Sequence, residues 1–84
     1  MYQLTITRQA LKEMSSFPEK LQKQIILKIE ELKTNPYPNG SKKLVGSVDR
    51  WRIRIGDYRI LYKIDNTMKQ IFIFRVLHRK DVYR

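Results

Sequence analysis

Residues 51–62 constrain the fold of this chain more than any other stretch, because two alternating runs flank a turn signal. Trp51, Ile53 and Ile55 alternate with arginines, and apolar residues alternate with cations again after Gly56-Asp57. Successive side chains of a strand point to opposite faces of a sheet. A Gly-Asp pair between two such runs is typical of a β-hairpin. The pattern therefore predicts a hairpin with one apolar face and one cationic face.

The cationic face of this hairpin is expected to present a row of arginines on a rigid sheet. Its members are Arg50, Arg52 and Arg54 from the first strand, with Arg59 and Lys63 from the second. The residues expected on the core side are Trp51, Ile53, Ile55, Tyr58, Ile60, Tyr62 and Ile64. The rest of the chain is interpreted as support for the hairpin.

The residues before the hairpin predict one strand followed by two helices. Apolar residues alternate over residues 2–6, and Thr7 is suited to cap a helix that begins near Arg8. Apolar residues then recur at helical spacing over residues 21–32. The Pro, Gly and Asn residues of 35–41 are expected to end this second helix near position 34.

Three or four strands are predicted after the helices. Residues 42–46 form either a short strand or an extended lead-in to the hairpin. Residues 70–77 are apolar on both faces, which is typical of a central strand. We therefore expect an α+β fold in the order β-α-α-β-β-β, as a single domain over residues 1–84. Two helices would cover one face of a small, mainly antiparallel sheet, and the arginines would lie on the other.

Positive charge is concentrated in the second part of the chain. The net charge is +10, and residues 50–84 hold ten Lys/Arg, three Asp/Glu and seven of the eight arginines. The planar guanidinium group suits bidentate recognition of phosphate. The asymmetry favours a polyanionic partner over a merely solubilising charge. The lysines and glutamates of the second helix are interpreted as a solvated face.

The sequence offers little for metal, disulfide or membrane chemistry. It contains no cysteine, His78 is its one histidine, and the acidic residues are scattered. We therefore expect no metal and no other cofactor. No run approaches the roughly 20 apolar residues of a membrane span, and the N-terminus lacks the apolar run of a signal peptide. A cytoplasmic location without membrane contact is expected.

The clustered cations also suit a catalyst that acts on phosphate. Guanidinium groups stabilise charge that grows on a phosphate in the transition state. Arginine hardly transfers protons near neutral pH, because its pKa exceeds about 12. Proton transfer would therefore fall to His78, Lys80, Tyr83 or an acidic residue.

Two motifs, residues 52–62 and residues 75–83, resemble the RelE branch of the RelE/ParE toxin superfamily. Asn35-Pro36 and Lys42-Lys43-Leu44 fit as well, so the resemblance covers nearly the whole chain. It implies the toxin of a type II toxin–antitoxin system that cleaves mRNA in the ribosomal A site without a metal. The 2′-hydroxyl would attack the adjacent phosphate and leave a 2′,3′-cyclic phosphate. The implied partners are the ribosome, mRNA and a RelB-like antitoxin.

The resemblance also implies which residues form the site. The matching positions are Arg52, Arg54, Arg59, Arg79 and Tyr83. In the best-known branch the first two are lysines, so the general base stays open here between Tyr83 and His78, with Tyr83 preferred. The residues expected to contact RNA around this set are Arg50, Lys42, Lys43 and Lys80.

Two other functions stay open on the sequence. A ParE-like inhibitor of DNA gyrase would share the fold and would not be a nuclease. Arg79 and Tyr83 favour the RelE interpretation, because ParE-like toxins usually lack this pair. A plain nucleic-acid-binding module, or a toxin whose activity has decayed, would keep the cationic face alone. Fold by itself does not decide between these functions.

Overall fold

A computed structural model describes residues 1–81, which form one five-stranded sheet and two α-helices. The strands are β1 (Gln3–Ile6), β2 (Lys42–Lys43), β3 (Arg50–Ile55), β4 (Tyr58–Asp65) and β5 (Gln70–His78); the helices are α1 (Arg8–Ser15) and α2 (Glu19–Leu32), and a 3₁₀ turn spans Arg79–Asp81. The order across the sheet is β1-β5-β4-β3-β2. Only β1 and β5 pair in parallel among these strands. The predicted α+β arrangement is confirmed, and residues 42–43 form a short strand.

Local signals set the helix ends much as the sequence predicts. Thr7 caps α1, and its side-chain oxygen accepts a 3.2 Å hydrogen bond from the N–H of Ala10. Helix α2 ends at Leu32, two residues before the predicted end at Thr34. Lys33 and Thr34 form a tighter turn, because their N–H groups bond to carbonyls three residues back.

Both helices cover one face of the sheet, and the core lies between these two layers. Its buried members are Ala10 and Met14 from α1, Ile25, Ile29 and Leu32 from α2, and Ile53, Ile60, Tyr62, Ile64, Ile71, Ile73 and Val76 from the sheet. Fully burying one Ile or Leu side chain stabilises a fold by about 1.5–3 kcal/mol. The predicted core side of the hairpin is confirmed, since Trp51 and Ile55 pack against the same cluster.

A bulge interrupts the pairing of β4 with β5 and changes which residues of β5 face the core. Two consecutive residues of β4 pair with Arg75 and Ile73, so Phe74 is the extra residue. A one-residue shift exchanges the two faces of a strand. The core side therefore passes from Ile73 to Val76, and Arg75 leaves it.

Tyr62 links the core to the loop after α2. Its side chain is fully buried, and its hydroxyl donates a 2.9 Å hydrogen bond to the carbonyl oxygen of Pro36. Burial raises the pKa of Tyr62 from 10.0 to about 12, while a hydrogen bond with Ser41 acts in the opposite direction. The folded protein thus keeps a proton that the unfolded chain loses between these two pH values. The stability from Tyr62 is complete below pH 10 and is lost as pH rises through about 12.

We expect the free energy of unfolding to fall between pH 10 and about 12 more steeply in the wild type than in Tyr62→Phe. The Phe variant lacks the titrating hydroxyl and its hydrogen bond, so it should be less stable by about 1 kcal/mol at neutral pH. Urea unfolding at a series of pH values measures both effects. Equal alkaline slopes in the two proteins would contradict the expectation.

Candidate functional site

The face of the sheet opposite the helices is cationic, and we call Arg50, Arg52, Arg54, Arg59 and Lys63 the arginine face. The register of β3 and β4 places Arg54 opposite Arg59, and Arg50 opposite Lys63. Directly opposed side chains share a face and lie close together, so like charges in these positions repel. A bound polyanion relieves this repulsion, and the arrangement therefore favours one as the ligand.

Arg59 is the buried member of the arginine face. It is 8% exposed, and its Nη1 donates hydrogen bonds to the carbonyl oxygens of Gly56 at 3.3 Å and Tyr58 at 3.1 Å. These bonds hold the Arg59 guanidinium against the turn of the hairpin. Arg54, its partner on β3, is exposed instead. A side chain already held in place needs little reorganisation when it meets developing negative charge.

Strand β2 adds one of its two lysines to the arginine face. Lys42 is paired with Arg52, whereas Lys43 is paired with Trp51. Because paired residues share a face, Lys42 lies beside the arginines and Lys43 lies on the side of the core. The structure therefore separates two neighbours that the sequence analysis grouped as RNA contacts.

Phe74, the extra residue of the bulge, gives Arg50 an aromatic surface. The guanidinium carbon of Arg50 lies 5.1 Å from the centroid of the Phe74 ring. Stacking of a guanidinium on an aromatic ring is favourable, so this contact holds Arg50 toward β5. The sequence alone does not indicate a site role for Phe74, because the contact depends on the bulge and not on local pattern.

Arg79 lies at the turn end of the hairpin, where Asp57 holds it. The Arg79 N–H donates a 2.7 Å hydrogen bond to the Asp57 carbonyl oxygen, and Nη1 lies 3.8 Å from Oδ1 of the Asp57 carboxylate. Both side chains are more than half exposed, so the ion pair is weak and an anionic ligand can displace it. Lys80 is exposed in the same 3₁₀ turn. The sequence alone predicts only a turn at Asp57, and no local signal links this residue to Arg79.

His78 lies on the helix-covered side of the sheet. It is paired with Tyr58, and the two rings meet edge to face with centroids 5.2 Å apart. The Phe17 ring also packs on Tyr58, at 4.8 Å between centroids. The Nδ1 of His78 accepts a 3.2 Å hydrogen bond from the Lys80 N–H, so the neutral ring carries its proton on Nε2. The structure thus does not bring His78 together with the arginine face.

Three further expectations from the sequence concern Tyr83, a metal site and a membrane span. Tyr83 lies outside the described residues, so its catalytic role stays a prediction. Within residues 1–81, no three metal-ligating side chains lie close enough together to hold an ion. Neither helix in that part of the chain is long and apolar enough to cross a membrane.

Comparison with known proteins identifies the family. The model of the ParE toxin of the type II toxin–antitoxin system parDE matches residues 4–83. This chain belongs to the RelE/ParE toxin family. Toxin RelE3 of Methanocaldococcus jannaschii is 35% identical to it, over 87% of this chain and 85% of that toxin. The family predicted from the sequence is confirmed, and the chain is the toxin of a type II toxin–antitoxin system.

Solved structures of RelE toxins share the fold of this RelE-family chain. The archaeal RelE–RelB complex from Pyrococcus horikoshii contains a chain with a TM-score of 0.84 and 28% identity, which covers 96% of this toxin and 98% of its own length. The intact Escherichia coli RelBE complex gives a TM-score of 0.79 and 26% identity, over 90% and 94% of the two chains.

Proposed function

We propose that this RelE-family toxin is an endoribonuclease that cleaves mRNA in the ribosomal A site. The observation that supports the proposal is that Arg54 and Arg59 are paired next to the hairpin turn, and that Arg79 is bonded to Asp57 in the same turn. Three arginines next to one turn suit the binding of a phosphate that gains charge during reaction. The similarity to relatives named RelE adds independent support.

The proposed reaction is a transesterification within the RNA. The 2′-hydroxyl loses its proton, and its oxygen forms a bond to the adjacent phosphorus. The bond from phosphorus to the 5′-oxygen breaks, and that oxygen takes up a proton. The products are a 2′,3′-cyclic phosphate and a 5′-hydroxyl end, and the proposed reaction uses no metal and no cofactor.

Each cation has a distinct proposed role in this reaction. Arg59, the buried member, and Arg79 stabilise the charge on the phosphate oxygens. Arg54 lies opposite Arg59 and positions the reacting nucleotide. The proposed contacts to the flanking RNA backbone are Arg50, Arg52, Lys42 and Lys80. Tyr83 is the proposed proton acceptor.

We also propose that an acidic RelB-like antitoxin binds this toxin in the cytoplasm and keeps it inactive. The solved structures from Pyrococcus horikoshii and Escherichia coli described above are complexes of RelE with RelB. This chain offers such a partner two surfaces, the arginine face and an apolar stripe on α2. Ile26 and Leu27 on that stripe are 38% and 68% exposed. One amphipathic segment of the antitoxin would cover the stripe, and a second, acidic segment would neutralise the arginines on the opposite face of the sheet.

The proposed activity is tested by incubating the purified toxin with ribosomes programmed with a defined mRNA. We expect cleavage within the A-site codon and a 2′,3′-cyclic phosphate at the new end. The same mRNA without ribosomes is the control, and it should be cut far more slowly. An mRNA that stays intact on the ribosome at excess toxin would overturn the proposal.

Inhibition of DNA gyrase is a second candidate, because the matching family model describes a ParE toxin. A supercoiling assay with purified gyrase tests it directly. Loss of supercoiling together with an intact mRNA on programmed ribosomes would replace the nuclease proposal with this one.

A further inference from the structure

Arg75 on β5 is a cation to which the proposed function assigns no role. Simple alternation after Ile73 would place Arg75 in the core, but the bulge at Phe74 turns it to the arginine face. There it lies opposite Leu61, which in turn lies opposite Arg52. Leu61 carries no charge, so Arg75 supplies the cation at the β5 end of this row.

Glu13 of α1 holds Arg75 in place. Its Oε2 accepts a 2.8 Å hydrogen bond from Nε of Arg75, and its Oε1 accepts a 2.9 Å hydrogen bond from the N–H of Val76. Strand β1 ends at Ile6, opposite Ile73, so it does not reach Val76. The Glu13 carboxylate thus accepts the hydrogen bond of the Val76 N–H, at the edge of β5 where there is no neighbouring strand.

The contact with Glu13 leaves most of the guanidinium available. The Glu13 side chain is 12% exposed, whereas the Arg75 side chain is 42% exposed. Glu13 bonds only to Nε, and the structure gives the two terminal nitrogens no hydrogen bond within residues 1–81. Those nitrogens form an edge that suits a phosphate. A side chain held at Nε also loses less conformational freedom when it binds.

We propose that Arg75, positioned by Glu13, binds a backbone phosphate of the RNA next to the reacting nucleotide. The bound strand then runs from the hairpin across β4 to β5. This inference rests on the proposed function, since it extends the same RNA-binding face. Arg75 is a binding residue here and takes no part in the chemistry.

The test measures the affinity of the purified toxin for a short single-stranded 2′-O-methyl RNA at several salt concentrations. This RNA lacks the attacking hydroxyl and is not cleaved. We expect Arg75→Gln to weaken binding on the order of tenfold at low salt. The slope of log affinity against log salt should fall by about 0.7, the value for one phosphate on a single strand. Arg75→Lys keeps the charge and should restore most of the slope.

Two controls separate RNA binding from effects on folding. Lys20→Gln removes one exposed cation from α2 and should leave the slope unchanged. Arg75→Gln alone leaves the Glu13 carboxylate without its partner and should lower the melting temperature. Glu13→Gln combined with Arg75→Gln should restore stability and keep the binding defect. If binding recovers together with stability, Arg75 acts only through the fold and the inference is wrong.

Arg54→Gln distinguishes this inference from the proposed function. If Arg54→Gln lowers the slope and Arg75→Gln does not, the RNA does not reach β5 and only the inference fails. If neither variant changes the slope, the arginine face does not bind RNA and the proposed function fails as well.

Discussion

Alanine in place of Arg59 should slow single-turnover cleavage of mRNA on programmed ribosomes by on the order of a hundredfold or more. Arg59 is 8% exposed, and two backbone carbonyls of the hairpin turn fix its guanidinium. A preorganised donor of this kind typically contributes about 3–4 kcal/mol to stabilising a transition state. Arg79→Ala should cause a similar loss, because Arg79 is bonded to Asp57 in the same turn.

Arg54→Ala is the matched control for Arg59→Ala, because the two residues lie opposite each other and differ in burial. The exposed Arg54 should contribute more to RNA affinity than to the rate at saturating ribosome. Circular dichroism and thermal unfolding must show that Arg59→Ala is folded, since it removes buried hydrogen bonds. If Arg59→Ala and Arg79→Ala both cleave as fast as the wild type, these two arginines do not stabilise the transition state and the assignment of the site is wrong.

Tyr83→Phe should lower the cleavage rate by on the order of 10²–10⁴, the range expected for loss of a general acid or base. The substitution keeps the aromatic ring and removes only the hydroxyl, so it separates stacking on a base from proton transfer. The pH dependence of the single-turnover rate provides a second readout. A pH profile that differs between the variant and the wild type would support proton transfer by the Tyr83 hydroxyl.

His78→Gln is the counterpart of Tyr83→Phe. His78 lies on the helix-covered side, against Tyr58, and its Nδ1 already accepts a backbone hydrogen bond. We therefore expect His78→Gln to cleave at close to the wild-type rate. A fast Tyr83→Phe together with a slow His78→Gln would make His78 the proton-transfer residue.

The two faces of the hairpin could be predicted from the sequence because period-two alternation is a local property. Ile53 and Ile60 are buried in the core, and Arg54 and Arg59 lie together on the opposite face. The hairpin turn predicted at Gly56-Asp57 is also confirmed, since it joins β3 directly to β4 and Gly56 has a φ of +54°. Glycine adopts positive φ at little cost.

The positions of His78 and Arg75 could not be predicted in this way, because one bulge decides both. Alternation from Ile73 would place Arg75 in the core and His78 among the arginines. The extra residue Phe74 exchanges these two positions. Its location depends on how β4 and β5 pair, which residues 70–77 do not encode by themselves.

Long-range partners were likewise beyond the reach of sequence patterns. The burial of Arg59, the contact between Asp57 and Arg79, and the bond from Glu13 to Arg75 all depend on the packed sheet. The separation of Lys43 from Lys42 follows from the pairing of a strand only two residues long.

The order of strands in the sheet also determines when the arginine face can form during synthesis of the chain. β5 is the last strand within residues 1–81, yet it lies between β1 and β4. Before β5 leaves the ribosome, β1 has no neighbour, and the arginine hairpin is a nearly isolated pair of strands that is marginal in water. A nascent chain therefore lacks a stable arginine face until β5 has been synthesised and has paired with its two neighbours.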